Sequence, residues 1–232
     1  MNDVIEAVHA APRIVRPRDA ASLILLRGEG AGLELLAGRR PGHARFMPGM
    51  WVFPGGAIDP ADRRPWRVEA GAEALPPRLA PSARAALRET WEEVRVLVGR
   101  RAPAAAGPMT PAGFSPIEAA YAEHGVAAAF DNLRYVGRAI TPTRAFRRFN
   151  TRFFLADGEA VFGDPVATDE LEEVGWHPVG RRPLAPAADV THFMLARAIA
   201  LRVGTAPEAA PLFCTVRKRR RILVCREAIP DL

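Results

Sequence analysis

Short apolar runs alternate with turn-rich stretches along most of the chain. Residues 20–26 (AASLILL) form an apolar run between charged residues, and residues 33–37 (LELLA) follow a glycine-rich turn. Apolar runs of this length, bounded by turn residues, predict buried strands, here paired as a hairpin. Further strands are predicted at 133–141, 149–156 and 170–178, and a terminal hairpin is predicted at 212–216 and 222–225.

Helical periodicity appears in three places. Residues 83–98 (ARAALRETWEEVRVLV) repeat apolar positions at steps of four and three, which predicts a helix packed along one seam. Ser82 is the expected N-cap of this helix, and Gly99 is the expected stop. Ser-Pro-Ile-Glu at 115–118 predicts a second helix through a capping box, and residues 187–203 predict a third.

The first of these helices carries the candidate chemistry. Glu89, Glu92 and Glu93 stand at i, i+3 and i+4, so their carboxylates share one side of the helix and repel each other. A bound cation would relieve this repulsion, and ligands that are all oxygen favour Mg²⁺ or Mn²⁺. A solvated acidic face is the alternative interpretation.

Arg-Glu-Thr-Trp-Glu-Glu at 88–93, preceded by Phe-Pro-Gly-Gly at 53–56, resembles the Nudix hydrolase box. The resemblance implies an α/β/α sandwich with a mixed central sheet and hydrolysis of a diphosphate bond in a nucleoside derivative. The chain departs from the box because the segment 62–82 interrupts it. Asp62 stands where the first glutamate is counted from Gly56, and Ala80 stands there when the count runs back from Arg88. Thr90 replaces the pattern's aliphatic residue, and Arg95 replaces its last glycine.

The resemblance also implies roles for the box residues. Glu89, Glu92 and Glu93 would hold Mg²⁺ or Mn²⁺, and Arg88 would orient the Glu92 carboxylate. Three glutamates further along the chain are candidates for an additional metal ligand or a base: Glu170, Glu172 and Glu173. His177 could titrate near neutrality, although a structural histidine is the alternative.

The interrupted box resembles the Nudix branch that includes the peroxisomal coenzyme A diphosphatases. The stretch 39–56 partly matches the motif that precedes the box there, and residues 140–155 resemble that branch as well. The implied substrate is coenzyme A or an acyl derivative. ADP-ribose, dinucleotides and nucleotide sugars remain open, as does a degenerate fold that only binds its ligand. The substrate-binding candidates are Arg39, Arg45, Gly55, Gly56 and Arg144, with Arg147 and Arg148 beside the last.

The whole chain, 1–232, is expected to form a single domain. Residues 1–18 contain Pro12 and Pro17 and are expected to form an arm, and residues 212–232 a C-terminal hairpin. The segments 62–81 and 100–132 are expected to form an inserted helical lobe, with the first of them acting as a flexible lid or an inert excursion.

Composition limits the classes of partner. The chain is 49% hydrophobic and 25% charged, as in ordinary globular proteins, and contains no apolar run long enough for a membrane span. We expect a cytoplasmic location. The net charge of +6 suits a small diphosphate but does not favour nucleic acid, apart from the basic run 217–221. A homodimer is left open. Cys214 and Cys225 are expected to be reduced thiols, a disulfide being the alternative.

Overall fold

The computed structural model describes residues 15–102, 113–180, 184–216 and 219–224. Several of the sequence expectations fall partly outside these residues: the arm before residue 15, residues 103–112 of the lobe, residues 217–218 of the basic run, and residues 225–232 of the C-terminal hairpin, which include Cys225. Cys214 is buried and is a free thiol.

Strand β1 (Arg18–Arg27) is the centre of the larger sheet and is buried along most of its length. Its apolar side chains exclude water from both faces of the strand. The backbone N–H and C=O groups along both of its edges must therefore bond to neighbouring strands. β2 (Glu34–Arg39) pairs antiparallel with its C-terminal end, and β4 (Gly55–Ala57) pairs antiparallel with its N-terminal half. β9 (Phe149–Asp157) runs parallel to it along the other edge.

The larger sheet extends outward on both sides of β1. Its strands follow the order β11 (Glu172–Pro178), β2, β1, β9, β8 (Arg134–Ile140), β12 (Pro211–Val216) and β13 (Arg219–Val224), with β3 (Trp51–Val52) paired to β2. β12 lies parallel to β8, while β8 pairs antiparallel with β9. The sheet is therefore mixed, and the predicted strands and terminal hairpin are confirmed.

Helices cover both faces of this sheet. Alternate residues of β1 point to opposite sides: Leu23 and Leu25 pack in one core with α1 (Ala80–Val94). Ile24 and Leu26 pack in the other core with α3 (Asp189–Arg202). This arrangement confirms the predicted α/β/α sandwich. None of the helices in the described residues combines the length and apolar character needed to cross a bilayer.

The prediction of an inserted helical lobe needs correction. A smaller sheet follows the order β10 (Val161–Phe162), β6 (Leu97–Arg101), β7 (Val126–Ala129) and β5 (Glu69–Ala70). The segment 62–81 supplies β5 and short 3₁₀ turns, and 113–132 supplies α2 (Pro116–Glu123) and β7. The lobe therefore combines the strands of a small sheet with α2 and short 3₁₀ turns, and it is not purely helical.

The insertion is also neither a lid nor an inert excursion. Trp66, Val68, Leu75 and Leu79 are buried in the same core cluster as α1. The Arg84 guanidinium on α1 forms an ion pair with the Glu69 carboxylate.

The boundaries of the box helix also differ from expectation. α1 begins at Ala80 and ends at Val94, so Ser82 is buried in its first turn and Gly99 lies in β6. Arg95 ends the helix in the left-handed conformation, with φ 62°. The residues that follow are apolar and buried, and they enter the smaller sheet as a strand. The second predicted helix is confirmed, and the Glu118 carboxylate accepts the Ser115 N–H as its capping box requires.

Candidate active site

The end of α1 places two glutamates against the glycine strand β4. The Glu93 carboxylate is 2% exposed, and its Oε2 accepts the Gly55 N–H at 2.7 Å. Gly55 lies so close to β1 that a Cβ on it would stand 2.4 Å from the Ala21 carbonyl oxygen. The absence of a side chain therefore lets β4 run between β1 and the helix and donate to Glu93.

Glu89 lies against the next glycine. A Cβ on Gly56 would stand 2.5 Å from the carboxylate carbon and both carboxylate oxygens of Glu89. No substitution at this position can keep the Glu89 carboxylate where it is. The glycine pair thus sets the position of both buried carboxylates.

Arg88 connects these elements. Its Nε and Nη2 donate to the two carboxylate oxygens of Asp62 at 3.1 and 3.0 Å, and Nη2 also donates to the Ala57 carbonyl oxygen at 2.9 Å. Its Nη1 donates to Glu92 Oε2 at 2.6 Å and lies 3.0 Å from Glu89 Oε1. Burial alone would lower the pKa of Arg88. The Asp62 hydrogen bond and the charges of the three carboxylates outweigh burial and raise the pKa above its usual value, so the guanidinium stays charged.

Asp62 is fully buried and also accepts the Asp59 N–H at 2.8 Å. It thus provides a carboxylate at the position where the box pattern has its first glutamate. The interruption of the box follows this residue in the chain and does not displace it from Arg88.

Burial changes the protonation of the two inner glutamates. Burial raises the pKa of Glu89 to about 7, against the opposing charge of Arg88. Burial also raises the pKa of Glu93 to about 8, although the Gly55 N–H and the charge of Arg40 oppose the rise. Glu170 raises both values by charge repulsion. Carboxylates placed in this way hold protons until a cation replaces them.

The donor set can be tested for its fit to a metal. Within the part of the chain that the structure describes, no three His, Cys, Asp or Glu side chains are gathered closely enough to hold a metal ion. Glu92 is the outlying member, since its carboxylate is partly exposed and paired with Arg88. Glu89 and Glu93 nevertheless present hard oxygen donors, which are the ligands that Mg²⁺ or Mn²⁺ prefers.

A pocket of about 270 Å³ adjoins the glutamates. It lies on the α3 side of the larger sheet, and Gly55 and Gly56 form part of its wall. Large apolar side chains make up much of the rest: Phe46, Met47, Phe53, Phe149, Phe153 and Phe213. The two glycines therefore separate an apolar pocket from a pair of buried carboxylates by backbone alone.

The sequence candidates for substrate binding divide into two groups. Gly55 and Gly56 line the pocket, but Arg39, Arg45 and Arg144 are not among its lining residues. Arg39 donates to the Gly49 carbonyl oxygen at 3.1 Å and forms an ion pair with Glu173 at 2.8 Å. Arg45 and Arg144 are exposed.

The neighbours of Arg144 also differ in their surroundings. Arg147 is exposed, whereas Arg148 is buried and donates to the carbonyl oxygens of Thr141 and Val15 at 3.2 and 2.6 Å. Arg148 therefore secures the β8–β9 connection and is not free for a substrate phosphate. His177 packs edge-to-face on Trp51, and its buried Nε2 has no hydrogen-bond partner among the described residues.

Arg40 is a charged pocket residue that the sequence did not single out as a candidate. It lines the pocket and its charge acts on Glu93. The alternation of side chains along an extended segment is the signal that could have found it, because neighbours such as Arg39 and Arg40 point to opposite sides. Without the fold, the sequence could not say which of the two sides holds the pocket.

Comparison with solved structures identifies a protein of the same architecture. The chain is 31% identical to a NUDIX hydrolase from Alicyclobacillus acidocaldarius, with a TM-score of 0.59 over 82% of this chain and 97% of that one. It is 18% identical to a MutT NUDIX hydrolase from Burkholderia pseudomallei, with a TM-score of 0.47 over 79% and 98% of the two chains. No protein-family model matches the chain, and no curated protein matches it.

Proposed function

The chain belongs to the Nudix hydrolase family and is a diphosphohydrolase, and from this premise we propose that its substrate is coenzyme A or an acyl derivative, cleaved in the presence of Mg²⁺ or Mn²⁺. The products would be 3′,5′-ADP and the corresponding phosphopantetheine. The observation that carries the proposed reaction centre is the pair of carboxylates beside the glycine wall of the pocket, Glu93 buried and Glu89 mostly buried.

The proposed metal ligands are Glu89, Glu92 and Glu93. When bound, the metal would polarise the phosphoryl oxygens, lower the pKa of bound water and neutralise charge on the leaving group. Arg88 holds the Glu92 carboxylate, and Asp62 fixes the Arg88 guanidinium on its other side. Of the three later glutamates, Glu170 is the one whose charge reaches both inner carboxylates, which supports it as a further ligand or base.

Support for coenzyme A comes from the interrupted box and from the apolar pocket. The pocket has room and apolar surface for a group carried by the diphosphate. ADP-ribose, dinucleotides and nucleotide sugars share the same nucleoside diphosphate and differ in the attached group. Identifying the products therefore distinguishes these substrates better than measuring released phosphate does.

The test is an analysis of products by mass. The purified protein would be incubated with Mg²⁺ or Mn²⁺ and, separately, coenzyme A, acetyl-coenzyme A, ADP-ribose, NADH and a nucleotide sugar. Release of 3′,5′-ADP and a phosphopantetheine is the expected result. Cleavage of another compound alone would replace the proposed substrate but keep the reaction, and a protein inactive on the whole panel with either metal would contradict the proposed substrate classes.

The metal assignment has its own variants. Glu93→Gln keeps an oxygen that accepts the Gly55 N–H but removes the charge, so turnover should fall by about two orders of magnitude or more while the fold persists. Glu92→Gln should act in the same direction. Glu123→Gln, an exposed change on α2, is the matched control. Normal turnover in Glu93→Gln with a normal melting curve would reject the proposed ligand set.

A further inference from the structure

Arg40 follows the last residue of β2 and opens the loop 40–50 that forms one wall of the pocket. Its backbone is fixed at both ends of this loop, because its N–H donates to the Met50 carbonyl at 2.9 Å and its carbonyl accepts the Gly49 N–H at 3.0 Å. The neighbouring side chain, Arg39, points away to Gly49 and Glu173. The loop therefore holds two consecutive arginine side chains on opposite sides of the backbone, with Arg40 on the pocket side.

The Arg40 guanidinium has one buried donor atom that no described residue satisfies. Its Nε is buried and has no hydrogen-bond partner within the described residues. A buried donor without an acceptor destabilises the folded protein and needs an explanation. The side chain faces a pocket whose other lining residues are largely apolar, so an acceptor carried by a ligand would satisfy it.

The location of Arg40 restricts the kind of acceptor. Its positive charge opposes the rise of the Glu93 pKa, so the guanidinium and the proposed metal ligand act on each other. Gly55 and Gly56 complete the same wall and contact the two inner glutamates. A group that binds Arg40 from the pocket therefore lies beside the glycine wall, with the two inner glutamates on the other side of that wall.

We propose that Arg40 binds an anionic oxygen of the substrate's diphosphate, and that the apolar pocket beside it receives the group attached to that diphosphate. This inference rests on the proposed function and adds a specificity-determining residue to it. The guanidinium is suited to the task because its planar fork of donors matches phosphate oxygens. In the coenzyme A pattern that the chain resembles, a small residue stands at this position, so Arg40 would be a particular property of this chain.

The apolar lining adds a preference among substrates. Threonine hydroxyls contribute polar atoms to the pocket, but the Ser22 hydroxyl already donates to the Pro54 carbonyl at 2.9 Å. An apolar or aromatic group is therefore favoured over a free sugar in this space. Thr191→Leu, on the first turn of α3, would narrow the pocket and should reduce kcat/KM most for the substrate with the bulkiest attached group.

The decisive variant is Arg40→Met, which keeps an apolar stem and removes the charge and the donors. We expect KM for the cleaved diphosphate to rise about tenfold to a hundredfold, with a much smaller change in kcat. The melting temperature should stay the same or rise, because the unsatisfied buried donor is gone. A structural role would give the opposite result, a lower melting temperature. Arg64→Met, an exposed arginine outside the pocket lining, is the control.

A binding measurement separates this inference from the proposed function. Calorimetry with ADP as the probe, without metal, should show weaker binding to Arg40→Met than to the wild type and to Arg64→Met. If the wild type binds ADP through Arg40 but cleaves nothing on the substrate panel, the proposed function fails and the inference stands. Equal ADP affinity in all three proteins, or an unchanged KM in Arg40→Met, would overturn the inference.

Discussion

The Arg88 guanidinium joins two carboxylates that come from different parts of the chain. Asp62 belongs to the segment after β4, and Glu92 lies one turn further along α1. Asp62 is fully buried, while Arg88 keeps a small exposed fraction. Breaking such a pair by removing one charge leaves the other charge uncompensated, which is costly.

Asp62→Asn is therefore expected to destabilise the protein by about 3 kcal/mol. Turnover should fall as well, because Arg88 loses the partner that fixes it beside Glu92. Denaturant unfolding and steady-state kinetics would measure the two effects. Asp62→Glu, which restores the acid of the box pattern, serves as the comparison, and a wild-type midpoint for Asp62→Asn would show that the ion pair is not stabilising.

The substitution Gly56→Ala should displace the Glu89 carboxylate while changing the stability of the fold little. In Gly56→Ala the new methyl group would meet the flexible end of Glu89, which can move aside at little cost in stability. Displacing a reacting group by about 1 Å can reduce turnover about a hundredfold, so we expect a large loss of activity with a nearly unchanged melting temperature. Gly32→Ala has no neighbour within 4 Å and is the control. Equal activity in the two variants would contradict the placement of Glu89.

At the scale of elements, the inserted segment completes the core on the α1 side of the sheet. The Trp66 ring lies 6.3 Å from the Tyr121 ring and 6.4 Å from the Phe130 ring, between centroids. These partners belong to α2 and to the turn after β7, so the ring connects the insertion with the smaller sheet. An insertion packed in this way contributes to folding, whatever it does near the site.

Trp66→Ala should accordingly cost about 3–5 kcal/mol, the usual loss for a large buried aromatic side chain. Glu73→Ala changes an exposed residue of the same segment and should have little effect. Thermal and denaturant unfolding would compare the two proteins. A melting temperature for Trp66→Ala equal to that of the control would restore the interpretation of the segment as a lid.

At the scale of the whole molecule, the inner glutamates link stability to pH and to metal. Both have pKa values raised from the ordinary 4.5, to about 7 for Glu89 and about 8 for Glu93. The folded state therefore retains protons that the unfolded state releases at lower pH. Their favourable contribution is complete below pH 4.5 and is lost as the pH rises through 7 and 8.

The metal-free protein should thus lose thermal stability between pH 5 and pH 8, and Glu93→Gln should lose about half as much or less. Added Mg²⁺ should stabilise the wild type more at pH 8 than at pH 5, since a cation then replaces the protons. Melting curves in a chelator and in Mg²⁺ would test both statements. Identical pH profiles for the wild type and Glu93→Gln would show that this carboxyl is not the linked group.

Most of the elements, but not all of their ends, were predictable from the sequence. The larger strands and two of the helices follow the spacing of apolar residues within a short stretch of sequence, and α2 follows from its capping box. The end of α1 was predicted wrongly because Leu97 fits the helical seam, although it is the first residue of β6. The smaller sheet was missed because β5 and β10 have two residues each, too few to show a period.

The sequence by itself determined the strand and helix order, the acidic hexapeptide on a helix, and the glycine pair that must approach it. These features depend on neighbours in the chain, and the roles assigned to them remain predictions. Only the tertiary structure decided that Asp62 meets Arg88, that the insertion enters the core, and that Arg40 rather than Arg39 faces the pocket. Each of these depends on which distant segments pack together and on which side of a strand they pack, and local periodicity carries neither kind of information.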